Sequence, residues 1–165
     1  MAVSTTQSIW RSGGGDNSRT AYCGTGLMVA EFYVDPTAAA GTTAKIASGS
    51  TQPVILPAGA VIVQINANAA ATGGTNPTFD MGYTLYTSGT ATNAGLLNEA
   101  DADVGKQVFT WATSTVPGAA LGGVMSATEL VYITGNVGGS AATGGSITGQ
   151  ILYYVTDPFV GQQNV

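Results

Sequence analysis

Apolar and polar side chains alternate along most of this chain, and Gly or Pro marks the breaks between the alternating segments. Residues 61–66 place Val61, Val63 and Ile65 on one predicted face, with Ile62, Gln64 and Asn66 opposite. The segment Thr78–Thr84 alternates in the same way, with large apolar residues at every second position. This period of two is typical of antiparallel strands that turn one face to a core.

The alternation predicts a chain made of short strands separated by Gly-rich and Pro-rich turns. The predicted strands are Leu27–Val34, Thr43–Ala47, Pro53–Leu56, Val61–Asn66, Thr78–Thr84, Gln107–Ala112, Leu121–Met125, Glu129–Thr134 and Ser146–Val155. Such spacing is typical of an all-β, antiparallel β-sandwich, jelly-roll-like, over residues 21–157. Leu130–Ile133 and Ile151–Val155 carry apolar side chains on both faces, so we expect these two strands to be central, or to be covered on both sides by sheet and partner.

Other segments are predicted to lie outside the strands. Leu96, Leu97, Ala100 and Val104 approach helical spacing, but the segment Ala94–Val104 is short, and we expect a loop with one helical turn. Long Gly-rich loops are predicted at residues 67–77, 88–95, 113–118 and 137–145.

The two ends of the chain differ from the middle. Residues 1–20 are rich in Ser, Thr and Gly, and they predict an extended N-terminal arm whose Ile9, Trp10 and Arg11 anchor on a partner. Trp and Arg are residue types that dominate binding hot spots. The alternative is that Trp10 packs on the domain's own core. Residues 158–165 form a predicted C-terminal tail, in which Phe159 is a second candidate for partner binding.

Composition indicates a protein that acts by presenting a binding surface. Only 8% of the 165 residues are charged, against roughly 25% in ordinary globular proteins. The surface is therefore either neutral and polar or covered by partners. The net charge is −5 and the four cations are scattered, which argues against a nucleic-acid partner. No apolar run is long enough for a membrane span and no signal peptide is apparent, so we expect synthesis in a cytoplasm and no membrane partner.

The sequence offers little catalytic chemistry. It has no His and one cysteine, Cys23, which removes His-dependent nucleophilic catalysis and any disulfide within the chain. Asp101 and Asp103 form a weak candidate for a hard cation such as Ca²⁺, because oxygen ligands two residues apart can share one ion. Asp80 is a carboxylate predicted on the non-core face of its strand. We therefore predict neither an enzyme nor a cofactor.

Three motifs occur in a fixed order: Leu56-Pro-Ala-Gly-Ala-Val-Ile62, Gly73-Gly-Thr-Asn-Pro-Thr-Phe-Asp-Met-Gly82 and Gly95-Leu-Leu-Asn-Glu-Ala-Asp-Ala-Asp-Val104. In these residues the chain resembles a group of small virion proteins of tailed bacteriophages. The resemblance implies a decoration or cement protein that binds the major capsid protein at the capsid surface, is made in the host cytoplasm, and forms a dimer or trimer. The alternative is a fibre or tail component that binds a receptor or glycan.

Overall fold

A computed structural model describes residues 26–37, 44–45, 47–48, 52–110, 118–138 and 142–156. Within these ranges the chain forms strands and no helix, so it contains no helix that could cross a membrane. The strands are β1 Met28–Val34, β2 Ala44–Lys45, β3 Ala47–Ser48, β4 Gln52–Pro53, β5 Ile55–Leu56, β6 Ala60–Thr72, β7 Thr78–Leu85, β8 Ala91–Asp101, β9 Gly105–Thr110, β10 Val131–Gly138 and β11 Gly144–Val155. The predicted arm 1–20 and tail 158–165, with Ile9, Trp10, Arg11 and Phe159, lie outside the described residues.

The strands form two antiparallel sheets. The six-stranded sheet has the order β4-β3-β1-β11-β6-β9. The five-stranded sheet has the order β2-β10-β7-β8, and β5 pairs with β10. The predicted all-β antiparallel sandwich is confirmed, and the jelly-roll connectivity stays a prediction. The two strands predicted to be central, β10 and β11, each have a neighbour at both edges, which confirms that they are central strands.

The core lies between the two sheets and takes its side chains from alternate positions of both. Its largest members are fully or almost fully buried: Phe32, Ile62, Ile65, Phe109, Ile147 and Ile151 from the six-stranded sheet, and Leu56, Phe79, Met81, Leu97, Val131 and Ile133 from the five-stranded sheet. Phe79 and Phe109 meet edge to face across the interior, with ring centroids 6.3 Å apart. Edge-to-face pairing is a favourable aromatic geometry, so this contact helps to fix one sheet on the other.

The turn between β5 and β6 forms where the sequence predicts it. Gly59 has φ of 77°, and the Ala60 N–H donates to the Pro57 carbonyl over 3.2 Å. Ala58 and Gly59 are the two central residues of this turn, and a positive φ at the second, which favours Gly, is typical of a type II turn. The predicted Pro-Ala-Gly turn is therefore confirmed.

Strand β6 is longer than predicted and changes its inward face at Val63. It runs to Thr72, so the predicted loop 67–77 is wrong over its first six residues. Leu152 of β11 faces Gln64, and the next residue, Tyr153, faces Ile62. Val63 is therefore the extra residue of a β-bulge. The bulge puts Ile62 in the core, and the prediction that Ile62 shares a face with Gln64 and Asn66 is wrong.

Two other sequence predictions are also wrong. Residues Ala94–Val104 were expected to form a loop with a helical turn, but Ala91–Asp101 is strand β8. Two irregularities in the pairing of β8 with β7 interrupt the alternation of inward and outward side chains. The buried residues of β8 are therefore spaced unevenly, and this spacing resembles that of a helix. Residues Leu121–Met125 were expected to form a strand, but they contribute a single bridge between Val124 and Val61. The buried Leu121 and Met125 pack on the core from a loop instead.

The larger irregularity of β8 depends on Gly82 of β7. Met81 pairs with Leu97 and Tyr83 with Thr92, so the four residues 93–96 lie opposite Gly82 alone. A Cβ added to Gly82 would overlap the carbonyl oxygens of Thr92 and Asn93. These are backbone atoms, which cannot move away as a flexible side chain would. The excursion of β8 over β7 therefore requires glycine at position 82.

Replacing Gly82 by Ala is expected to destabilise the domain by about 3 kcal/mol, the upper range for overpacking a tight site. Urea unfolding of the purified protein measures this loss. Gly123→Ala is the control, because a Cβ there would lie 3.6 Å from the nearest atom, the Ala120 carbonyl oxygen. Equal stability of the two variants would contradict the close packing of β8 on Gly82.

Candidate functional site

Asp101 and Asp103, the weak candidates for cation binding, come together where β8 turns into β9. The Asp103 N–H donates to Asp101 Oδ1 over 3.3 Å, and the Asp101 carbonyl accepts from Gln107 Nε2 over 2.6 Å. A side-chain hydrogen bond with Asp101 raises the pKa of Asp103, with desolvation and repulsion by the same carboxylate adding to it. No group of three or more His, Cys, Asp or Glu that could hold a metal ion occurs among the described residues. The geometry is that of an Asx turn, with one carboxylate supporting the backbone two residues on.

Asp80 lies on the outer face of β7, as predicted. Its Oδ1 accepts the Glu99 N–H over 2.7 Å. Glu99 has φ of 55°, an uncommon conformation for a residue other than glycine, and it occurs where β8 carries its smaller irregularity. Asp80 therefore has a structural role, which is to hold the distorted part of β8 against β7.

A group of aromatic and aliphatic side chains is exposed on the outer face of the five-stranded sheet. We call Ile55, Tyr86, Leu130 and the half-buried Tyr132 the tyrosine patch. The Tyr86 and Tyr132 rings lie 5.2 Å apart with a tilt of 32°, and Ile55 lies directly opposite Tyr132 in the β5–β10 pairing. The Tyr86 N–H donates to the Leu130 carbonyl over 2.9 Å. Ile55, Tyr86 and Leu130 are 43%, 53% and 44% exposed, which is unusual for such side chains when they are grouped together.

Glu129 braces the turn that carries Tyr86. Its Oε2 accepts the N–H groups of Thr87 and Ser88 over 2.8 and 3.0 Å. The Glu129 N–H donates to Ser126 Oγ over 3.0 Å, which fixes the carboxylate's own loop. The two backbone hydrogen bonds, from Ser88 and then Thr87, lower the pKa of Glu129 because they stabilise its charged form. These two hydrogen bonds, which we call the Glu129 brace, therefore order the edge of the tyrosine patch at neutral pH.

An open groove of about 580 Å³ crosses the outer face of the six-stranded sheet. We call it the amide groove, after the side-chain amides that line it. Its lining comes from four adjacent strands: Glu31, Phe32 and Tyr33 of β1, Thr148, Gly149 and Gln150 of β11, Asn66, Ala67 and Asn68 of β6, and Lys106, Gln107 and Val108 of β9. Next to the groove, Gln64 Nε2 donates to Asn66 Oδ1 over 2.6 Å. The surface thus combines ordered amides with one carboxylate and one ammonium group.

Sequence reasoning missed both surfaces, for different reasons. The tyrosine patch assembles from residues far apart in sequence, so only the sheet pairing brings them together. The amide groove had a visible signal, because Gln64, Asn66 and Asn68 follow one another at alternate positions of a single strand. The partner-binding candidates Ile9, Trp10, Arg11 and Phe159 lie outside the described residues, and their role stays a prediction.

The fold defines a class, the two-sheet antiparallel sandwich, and a comparison with solved structures finds the same arrangement elsewhere. The chain is similar to a chain in the structure described as the capsid of Ralstonia phage GP4, with a TM-score of 0.55 and 17% sequence identity. The likeness covers 81% of this chain and 86% of that chain, so it spans most of both. No family model matches the sequence, and no curated protein matches it. At this identity the likeness establishes a shared fold.

Glu129→Gln is expected to lower Tm by about 2 °C at neutral pH and to remove an acid-dependent part of the stability. The folded pKa of Glu129 is lowered, so its contribution is present above the unfolded pKa and is lost as pH falls through the folded pKa. Thermal melting from neutral to acidic pH measures the effect, with the exposed Glu31→Gln as control. If wild type and Glu129→Gln lose stability in parallel on acidification, the brace is not an ionic one.

Proposed function

We propose that this chain is a structural protein of a bacteriophage virion that binds the outside of the capsid and stabilises it, as a decoration or cement protein. The observation that carries the proposal is the likeness in fold, over most of both chains, to a chain of a phage capsid structure. The low content of charged residues supports it, because a protein that ends among neighbouring subunits needs little charge on the surfaces they cover.

The tyrosine patch is the surface we assign to capsid attachment. Tyr is enriched in binding hot spots, since its ring buries a large area at a small cost in conformational entropy. Grouped apolar side chains rimmed by polar residues are typical of protein interaction sites. Glu129 holds the turn beside Tyr86 before any partner arrives, which reduces the ordering cost of association. The patch is therefore suited to dock on the major capsid protein.

The predicted arm adds a second attachment element to this proposal. Ile9, Trp10 and Arg11, with Phe159 at the other end of the chain, are proposed to anchor on the capsid or on sister subunits of a dimer or trimer. The protein then acts at the virion surface after synthesis in the host cytoplasm. No catalytic step is part of this function.

Tyr86→Ser is expected to weaken attachment to capsids by roughly 30-fold, the effect of losing a buried aromatic anchor. Co-sedimentation with capsids that lack the protein measures the change. Val104→Ser is the matched control, since Val104 is 57% exposed and lies in the β8–β9 turn, at the opposite end of the five-stranded sheet. Unchanged binding by Tyr86→Ser, or an equal loss with Val104→Ser, would rule out the patch as the docking surface.

Deleting residues 1–15 is expected to leave Tm nearly unchanged while weakening attachment to the particle or to sister subunits, because the arm is assigned to docking. Trp10→Ala should reproduce most of that loss, or roughly 30-fold in affinity. Thermal melting and capsid co-sedimentation of the same preparations separate the two effects. A truncated protein that melts many degrees lower and still binds capsids would show that Trp10 belongs to the domain's own core.

A further inference from the structure

The amide groove is built from two rows of side chains that run across the six-stranded sheet. One row is Glu31, Gln150, Asn66 and Val108, and the next is Tyr33, Thr148, Asn68 and Lys106, with each residue directly opposite its neighbour in the strand pairing. Each row crosses three strand spacings, or about 14 Å. The groove's volume of about 580 Å³ lies within the range of small-molecule sites. Its dimensions therefore suit an extended ligand that lies across the strands.

Most of the surface exposed to the groove is apolar, and the polar side chains in its middle are uncharged. Asn66, Asn68, Gln150 and Thr148 occupy its two central strands, β6 and β11. A side-chain amide carries donors and an acceptor on adjacent atoms, and a hydroxyl group can both donate and accept. Pairs of neighbouring hydroxyl groups on a sugar ring match this arrangement, because one accepts from the amide nitrogen while the other donates to the amide oxygen.

Apolar surface in the groove supplies the second half of such recognition. Tyr33 stands at one corner and Val108, which is 61% exposed, at another, while Ala67 and Gly149 contribute the floor between the polar rows. Ligand sites generally combine apolar walls with a few polar groups that fix orientation. The carbon faces of sugar rings pack on such walls, and an aromatic ring is a favourable platform for them.

The charges in the groove select against other ligands. Glu31 and Lys106 lie on its two outermost strands, β1 and β9, so the lining contains one charge of each sign. A polyanion such as nucleic acid requires several cations along its path. A purely apolar partner would leave the central amides without hydrogen-bond partners, which is costly. A neutral polyhydroxyl chain meets neither obstacle.

We propose that the amide groove binds a neutral oligosaccharide. The Gln64–Asn66 hydrogen bond holds one of the central amides in place before binding, and the strand pairing fixes the spacing of the rest. This reduces the entropy lost on association. The proposal goes beyond capsid attachment, because the groove and the tyrosine patch lie on different sheets and face away from each other. A chain attached through its patch would leave the groove facing outward, where it can meet the glycans of a cell surface.

The test uses the full chain and a panel of neutral tetra- to hexasaccharides built on glucose, galactose, mannose, rhamnose and N-acetylglucosamine. Binding is followed by nuclear magnetic resonance of the labelled protein at sugar concentrations up to about 10 mM, above the ~1 mM dissociation constant of a weak site. At least one sugar is expected to shift the side-chain amide signals of Asn66, Asn68 and Gln150. Asn66→Ala and the exposed Gln150→Ala should each weaken that binding about 10-fold, the effect of losing one or two neutral hydrogen bonds.

Asn98→Ala is the matched control, since Asn98 is an exposed amide on β8 of the other sheet. It should bind the sugar as wild type does. Capsid co-sedimentation of the groove variants should be unchanged, so a failure of capsid attachment and a failure of sugar binding can be told apart. The proposal is overturned if no sugar in the panel binds, or if Asn66→Ala and Gln150→Ala bind as tightly as Asn98→Ala. It is also overturned if these two variants instead change the oligomeric state in sedimentation velocity, since the face would then join copies of the chain.

Discussion

The antiparallel pairing of β6 with β11 is the interaction on which the rest of the sandwich depends. It contains twelve residue pairs, and each strand also holds another long neighbour, β9 on one side and β1 on the other. This ladder sets which residues enter the core and which face outward. Ile65, Ile147 and Ile151 point inward from it, while Asn66, Thr148 and Gln150 form the outer surface. The core and the amide groove are therefore two sides of one pairing, and neither can be altered without regard to the other.

The two outer faces of the sandwich have different chemistry although the chain has few charges. The five-stranded sheet groups aromatic and aliphatic side chains at one end, whereas the six-stranded sheet exposes amides and hydroxyl groups interspersed with the valines Val29 and Val108. The first kind of surface gains most from excluding water, and the second gains most from matching hydrogen bonds.

Much of the fold follows from local patterns in the sequence. Phe79 and Met81 are buried as their alternation predicts, and the apolar residues on both faces of β10 and β11 correctly indicate central strands. The errors occur where the period of two is broken. Leu96 and Leu97 are adjacent and both fully buried, because the excursion of β8 over Gly82 turns consecutive residues toward the core. Such an excursion depends on contacts with another strand, which the local pattern does not contain.

The candidate functional surfaces were less predictable than the fold. Ile55 and Tyr132 are neighbours only because β5 pairs with β10, and a pairing of that kind joins residues that the sequence separates widely. The alternating amides of β6 were visible, but their partners Gln150 and Thr148 come from a strand near the end of the chain. Composition predicts a protein that works through its surface, and the strand pairing shows which side chains lie together on each outer face.

The bulge at Val63 limits how this chain can change in evolution. After the bulge, whether a residue of β6 faces the core or the solvent depends on how many residues separate it from Val63. Loss or gain of a single residue between Val63 and Asn66 would exchange Asn66 and Asn68 with Ala67 and Ala69, which would bury amides and expose the core. Related chains can therefore lengthen or shorten this strand only by two residues at a time, or by losing the bulge itself. Changes of any length are confined to the loops.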